Sequence, residues 1–404
     1  MIFSKNKTKA EFYQDDEDPY TYYENLQFTE LSLGWCHSAA ITSDGRIFTW
    51  GENYYGQLGD GTNTPKYLPN EITSNISLYE GETPINISVG DDHSVITTNF
   101  GRVFTWGNNY YGQLGDDTYD DKDTPTEITG KFTLQDEEKV IEVKLGSYHS
   151  AAITNFGRLF TWGSNEDGQL GNDTFDDRNI PTDITDKFSL QDGEKISGLS
   201  LGSYQSAAIT NFGRFFTWGN NYYGQLGYGT YDDKNTPTEI TDKFALEAEE
   251  KIIEISLGTY HSAALTNSGR VFTWGYNEYG QLGDGTDEGK NTPIEITDKF
   301  TLQDGEKVIS VTLGDYHSAV ITNLGRLFTW GYNEYGQLGD SIEEYKDTPT
   351  EITFNNLTDE EKVISVDLGC YHSAVITNFG RLFTFGDNEC GQLGDGTVEN
   401  KLFP

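Results

Sequence analysis

Cysteine is scarce: there are 3 in 404 residues, at Cys36, Cys370 and Cys390. An odd count with no close pair spacing predicts neither a disulfide framework nor a zinc signature. Basic residues are few as well. Lys and Arg total 27 against 65 Asp and Glu, a formal net charge of −38. Phosphate backbones repel such a field, so direct nucleic-acid binding is not expected. Anionic membrane surfaces are disfavoured for the same reason. A protein partner with a basic surface would be steered inward. No run of about 18 apolar residues occurs, so no spanning helix is expected. The opening MIFSKNKTKAEFYQDDEDPY has no apolar stretch of signal-peptide length. With Met1 as the start, a cytoplasmic protein is the expectation. A helical 3.6-residue period is also missing.

What the chain does contain is one unit repeated seven times. Gly-Arg recurs at Gly45, Gly101, Gly157, Gly213, Gly269, Gly325 and Gly380, spaced by 56 residues five times and then by 55. HSAAITNFGRLFTWG, NYYGQLGD and TPTEIT recur with it. Such units bury apolar surface against their neighbours, so the array is one body.

In the third copy, Val140-Ile141-Glu142-Val143-Lys144-Leu145 reads as a strand and His149 to Thr154 as a second. Asn155-Phe156-Gly157 is a tight turn. Arg158 to Trp162 is a third strand. Gly163 to Asp177 is a loop, and Pro181 to Thr185 a short edge strand. The expected fold is all-β: a seven-bladed β-propeller of four-stranded antiparallel blades. A parallel β-helix is the alternative, but its rungs are usually much shorter. The repeats are placed at 28–83, 84–139, 140–195, 196–251, 252–307, 308–362 and 363–404, after an N-terminal segment 1–27. The last copy is short by one strand. A segment within residues 2–13 is expected to supply it.

The pattern G-x-x-H-S-A-A-I-T-x-x-G-R-x-F-T-W-G-x-N-x-x-G-Q-L-G closely resembles the repeat of the regulator-of-chromosome-condensation family, and covers residues 28 to 404. The resemblance implies a seven-bladed propeller. Known members include an exchange factor for the small GTPase Ran, plant UV-B photoreceptors, parts of large ubiquitin ligases and bacterial inhibitors of β-lactamases. They share a fold and not a function.

All six histidines (His37, His93, His149, His261, His317 and His372) hold one repeat position, with Gln205 in the fourth copy. One per blade, they stay apart, whereas metal ligands must converge. They are expected to close the turn between the first two strands. No metal site and no cofactor is expected. Serine follows each histidine but points to the opposite face of the strand, so no local nucleophile–base pair forms. Trp50, Trp106, Trp162, Trp218, Trp274 and Trp330 share a position with Phe385, which argues for packing against the next blade. The photoreceptors carry Trp-Arg before the His-Thr pair; here only Trp35 stands there, so a light-sensing cluster is not expected. Gly-Gln-Leu-Gly is read as a turn bracing the blade rim, not a phosphate cradle.

Departures from sevenfold sameness carry more information. The loop between the third and fourth strands bears Tyr119-Asp120-Asp121, Phe175-Asp176-Asp177 and Tyr231-Asp232-Asp233 in copies two to four. Adjacent blades should set these tips side by side, and aromatics flanked by charge suit a partner's anchor. None has the D-x-D-x-D-G order of a calcium loop. Tyr54-Tyr55, Tyr110-Tyr111, Tyr222-Tyr223, Tyr276 and Tyr332 add aromatic surface after the third strand, some of them as part of the ordinary repeat pattern, and count only weakly toward binding. The expected function is non-enzymatic: a monomeric propeller binding another protein through acidic and aromatic loops on one face. The resemblance adds guanine-nucleotide exchange on a Ran-like small GTPase as an alternative. However, no copy carries an inserted wedge, and the only basic cluster is Lys5-Asn6-Lys7-Thr8-Lys9. Inhibition of a secreted enzyme is a further alternative, and would need export.

Overall fold

The computed structural model describes residues 26–355 and 357–404. Among these residues, six antiparallel four-stranded sheets and one three-stranded sheet each run in simple meander order. They form the blades of a seven-bladed propeller. In the third blade the strands are Val140–Leu145, His149–Thr154, Leu159–Gly163 and Arg178–Asp183. The fourth strand begins at Arg178 rather than Pro181 and ends at Asp183 rather than Thr185. Thr185 has left the sheet for a short 3-10 turn, Thr185–Phe188. There its hydroxyl oxygen accepts from Leu159 N (3.0 Å), while its own amide donates to Asp183 Oδ1 (2.9 Å).

The second strand is buried at all six positions in every blade. Small residues such as Ala151 and Ala152 let neighbouring sheets approach closely, and each sheet is covered on both faces. Apolar packing therefore falls into seven clusters, one per seam. One of them joins Ala151, Ile153 and Leu159 to Leu199, Phe216 and Trp218 of the following blade. Each strand tryptophan thus packs back on the preceding blade, not on the next.

That tryptophan is also polar glue. Trp162 Nε1 donates to Gln113 O of the preceding blade at 2.9 Å, and Ser150 Oγ donates to the same carbonyl at 2.8 Å. With its one proton committed there, Ser150 accepts from His93 Nε2 (3.2 Å), which fixes the tautomer of that imidazole. The hook recurs around the ring, with His149 on Ser206 at 2.8 Å and His261 on Ser318 at 3.0 Å. The turn itself is closed by backbone, Gly146 N to His149 O (2.9 Å). The expectation that the imidazole closes it is corrected: it crosses to the next blade. Gln205 reaches Gly258 O instead, at 2.8 Å.

The ring closes between blades seven and one. His372 Nε2 lies 3.1 Å from Ser38 Oγ, and Trp50 Nε1 donates to Gln392 O at 2.8 Å. Blade seven shows Val363–Leu368, His372–Thr377 and Leu382–Gly386. Lys401 bridges Gly386, where a fourth strand starts in other blades. The strand expected from residues 2–13 lies outside the described residues.

Two outcomes follow from the hook. Ser150→Ala leaves the His93 donor without its acceptor inside a dry seam. It should cost about 1–3 kcal/mol by chemical denaturation. Burial holds the six histidines neutral, His37 at about 4 and the others at about 3, against 6.5 ordinarily. The unfolded chain therefore takes up protons first as pH falls. Their contribution is intact above about 6.5 and drains away toward about 3, so denaturation midpoints should fall across that window. His149→Gln should flatten the slope.

Candidate interaction face

The loops joining the first strand to the second, and the third to the fourth, emerge at one end of every blade. They make one face of the ring. The longer loop is built on an asparagine. In blade two, Asn109 Oδ1 accepts from Leu114 N (3.0 Å), and its Nδ2 donates to Thr118 O (3.1 Å) and Asp120 O (3.2 Å). This fixes the Gly-Gln-Leu-Gly turn, whose Gly115 has φ 73° and no room for a Cβ. A methyl there would stand 2.7 Å from Trp162 Nε1.

The nine residues expected to bind divide into two kinds. Asp121, Asp177 and Asp233 each accept from the amide of the loop asparagine, at 2.8, 2.8 and 2.7 Å. They hold the loop. Asp120, Asp176 and Asp232 point to solvent, and Tyr119, Phe175 and Tyr231 are 56, 57 and 60% exposed. Tyr119, Asp120 and Asp121 share a surface depression with Tyr55, Asn108 and Tyr110. Phe175 and Tyr231 do not line it, so the three tips are not brought into one pocket.

Tyr223, Tyr276 and Tyr332, expected only as added aromatic surface, belong to a larger aromatic assembly on the same face. Tyr223, Tyr260, Tyr276, Tyr279, Tyr316, Tyr332 and Tyr371 enclose a cavity of about 200 Å³ across blades four to seven. Rings from successive blades meet at the seams. Tyr223 and Tyr260 centroids lie 4.9 Å apart, Tyr279 and Tyr316 6.0 Å, and Tyr335 and Tyr371 5.1 Å. Each ring is half-buried, with an edge left to solvent. Carboxylates stand at the rim. Glu278 accepts from the Tyr276 hydroxyl at 2.8 Å, and Glu334 accepts from Tyr332. Burial and these acids push both phenols up. The signal was present: tyrosine precedes the histidine position in five copies. Only alignment around a ring puts those tyrosines together.

The first strands line an axial cavity of about 360 Å³. Among the described residues its one lysine is Lys144, and Glu30, Glu254, Asp367, Asp91 and Asp315 share the lining. An asymmetric carboxylate set therefore does converge, which one-repeat reading did not reveal. Burial pushes Glu254 up to about 7 and Asp367 up to about 6, and Lys144 opposes both. Burial also raises Asp91 and Asp315, and Asp91 faces the charges of Asp315 and Asp92. Raised carboxyls contribute stability below their unfolded values that is lost as pH rises through the folded ones, opposite to the histidines. Lys144→Ala should raise Glu254 above about 7 and Asp367 above about 6 in a carboxyl NMR titration. Unmoved titrations would separate Lys144 from both.

The serine–histidine pairs between blades are no catalytic site. His93, Ser150, His149 and Ser206 are fully buried, and the serine protons are held by glutamine carbonyls. Among the described residues no helix is long and apolar enough to cross a membrane. Six of the seven tryptophans are buried in strands, leaving only Trp35 exposed.

Residues 8–353 match the family model of the RCC1-like domain, and residues 363–392 that of the regulator of chromosome condensation (RCC1) repeat. The ultraviolet-B receptor UVR8 of Arabidopsis thaliana is 29% identical over 375 residues, covering 93% of this chain and 80% of the receptor. The mitochondrial RCC1 domain-containing protein RUG3, also of Arabidopsis thaliana, is 32% identical over 354 residues, covering 86% of this chain and 76% of RUG3. Among solved structures, yeast RCC1 (Prp20), determined bound to Kap60, superposes with a TM-score of 0.75 at 20% identity. The match covers 100% of this chain and 90% of Prp20. Blade architecture, repeat motifs and both family models agree, and the chain belongs to the RCC1 repeat family.

Proposed function

We propose that this propeller is a non-enzymatic binding module that docks a protein with a basic surface on its loop face. The observation that carries this is the tyrosine assembly of blades four to seven with carboxylates at its rim. Half-buried rings offer apolar area that is already ordered, so little side-chain entropy is lost on docking. Ring faces and nearby acids together suit Lys and Arg side chains. The exposed Tyr119, Phe175 and Tyr231 extend the same face across blades two to four. The net charge of −38 adds long-range steering that salt would screen.

The test is capture of partners from host lysate at moderate salt, comparing wild type with two variants. One is Tyr119→Ala/Phe175→Ala/Tyr231→Ala, the other Tyr276→Ala/Tyr332→Ala. A partner kept by wild type should be lost by at least one variant and weakened by added salt. Equal retention by all three proteins would move binding off this face.

Guanine-nucleotide exchange on a Ran-like GTPase is the second proposal, supported by family membership and by the fold shared with yeast RCC1. It needs no chemistry from the propeller, only tighter binding of the nucleotide-free GTPase. Unchanged release of labelled GDP from such a GTPase would remove it.

A further inference from the structure

Every seam on the loop face pairs a residue of the long loop with the residue preceding the histidine position of the next blade. Four seams pair tyrosines: Tyr111 with Tyr148, Tyr223 with Tyr260, Tyr279 with Tyr316, and Tyr335 with Tyr371. At the seam between the last and first blades both places are cysteine, Cys390 and Cys36. The neighbouring position, held by Asn108, Ser164, Asn220, Tyr276 and Tyr332 in blades two to six, is Glu52 in blade one. Three departures from the repeat thus coincide at one seam, and all three are metal-ligand types.

Their atoms converge. The two Sγ atoms and a Glu52 carboxylate oxygen lie within 4.8 Å of one another, half-buried. No other three such groups do so among the described residues. Two sulfurs bound to one tetrahedral zinc at about 2.3 Å stand about 3.8 Å apart, so a movement of at most about 1 Å would close the site. The backbone beneath is held firmly. Glu52 N donates to Cys36 O (2.9 Å), and Cys390 N donates to Gln392 Oε1 (3.0 Å). Asp387 Oδ2 accepts from Gln392 Nε2 (2.9 Å) and places a further carboxylate beside the pair. We propose that Cys36, Cys390 and Glu52 bind one thiophilic divalent cation of the zinc class, tying the first blade to the last.

A disulfide is the competing use of two close thiols. The carboxylates of Glu52 and Asp387 beside the thiols favour the cation, because a dication deprotonates coordinating thiols and is drawn by nearby negative charge. Three protein ligands leave a fourth tetrahedral position to water or to a group from outside. The seam has use for such a link. Its apolar cluster, Leu26, Phe28, Ala40, Phe48, Trp50 and Ile376, is the smallest of the seven among the described residues.

The test is titration of the reduced, metal-free full chain with Co²⁺. A sulfur-to-cobalt charge-transfer band should grow and saturate at about one equivalent. Cys36→Ser and Cys390→Ser should abolish it, Cys370→Ser should leave it, and Glu52→Gln should weaken binding about tenfold or more. In wild type, Zn²⁺ should displace Co²⁺ and raise the melting temperature. It should also shield Cys36 and Cys390 from alkylation, a readout independent of whether the serine variants fold. No band, or a band surviving Cys36→Ser in a folded variant, would overturn the proposal. So would a Cys36–Cys390 disulfide in the purified protein whose reduction restores no Co²⁺ binding.

Discussion

The structure depends on one carbonyl per blade. Gln113 O accepts from both Ser150 Oγ and Trp162 Nε1 of the following blade, and the serine in turn accepts from an imidazole. Each sheet is therefore joined to the next by directional bonds inside an apolar seam, where polar groups left unpaired are costly. The carbonyl can stand there only because the turn that presents it is glycine-rich. The opposite end of blades two to six has its own brace. Arg158 reaches Glu138 at 2.8 Å and Asp183 at 2.6 Å, with its guanidinium 4.8 Å from the Phe160 ring centroid. That pairing explains why Gly-Arg is so regular a word. It joins the segment arriving from the previous blade to the blade's own outer strand.

Much of this was legible in the chain. A 56-residue period, strand-like runs and glycine turns lead to a closed ring of sheets, and the first two strands of the third copy lie where the pattern puts them. What one repeat cannot show is anything that needs two. The His-Ser dipeptide points its members to opposite faces, so it looks inert. Across the seam, the histidine of one blade and the serine of the next form a bonded pair. Trp162 reads as an apolar packing residue because Phe385 replaces it, yet its N–H is used in every blade that has one. The fourth strand was placed late because Pro181 and Thr182 look like its start, while side-chain bonds at Thr185 end it early.

The candidate site was less legible for the same reason. The aromatic-acid tips were found because they are local, consecutive words. The tyrosine assembly joins residues from four blades, and its members match an ordinary repeat position when taken singly. Local words also mislead about role. Asp121, Asp177 and Asp233 resemble free surface charge, but each is spent on the amide of a loop asparagine. The outward side chains beside them are what a partner can reach.

Repetition divides the labour between scaffold and specificity. Residues kept in nearly all copies, the Gln carbonyl turn, Ser, His, Trp and Arg, are consumed by seams and braces, through the Gln carbonyl, the Ser hydroxyl, the His Nε2 and the Trp N–H. A partner that recognised only those features could not tell one blade from another. On the proposed reading, specific binding would come from positions where the copies differ: the tips of blades two to four, the tyrosines of blades four to seven, and the thiols at the closing seam. All three lie on the face formed by the loops, whose lengths and side chains vary without disturbing the seam bonds beneath. The axial cavity varies too, but its walls are first strands that must also pack sideways, so changes there are paid in stability. The loop face is where this fold can change its partners at least cost to itself.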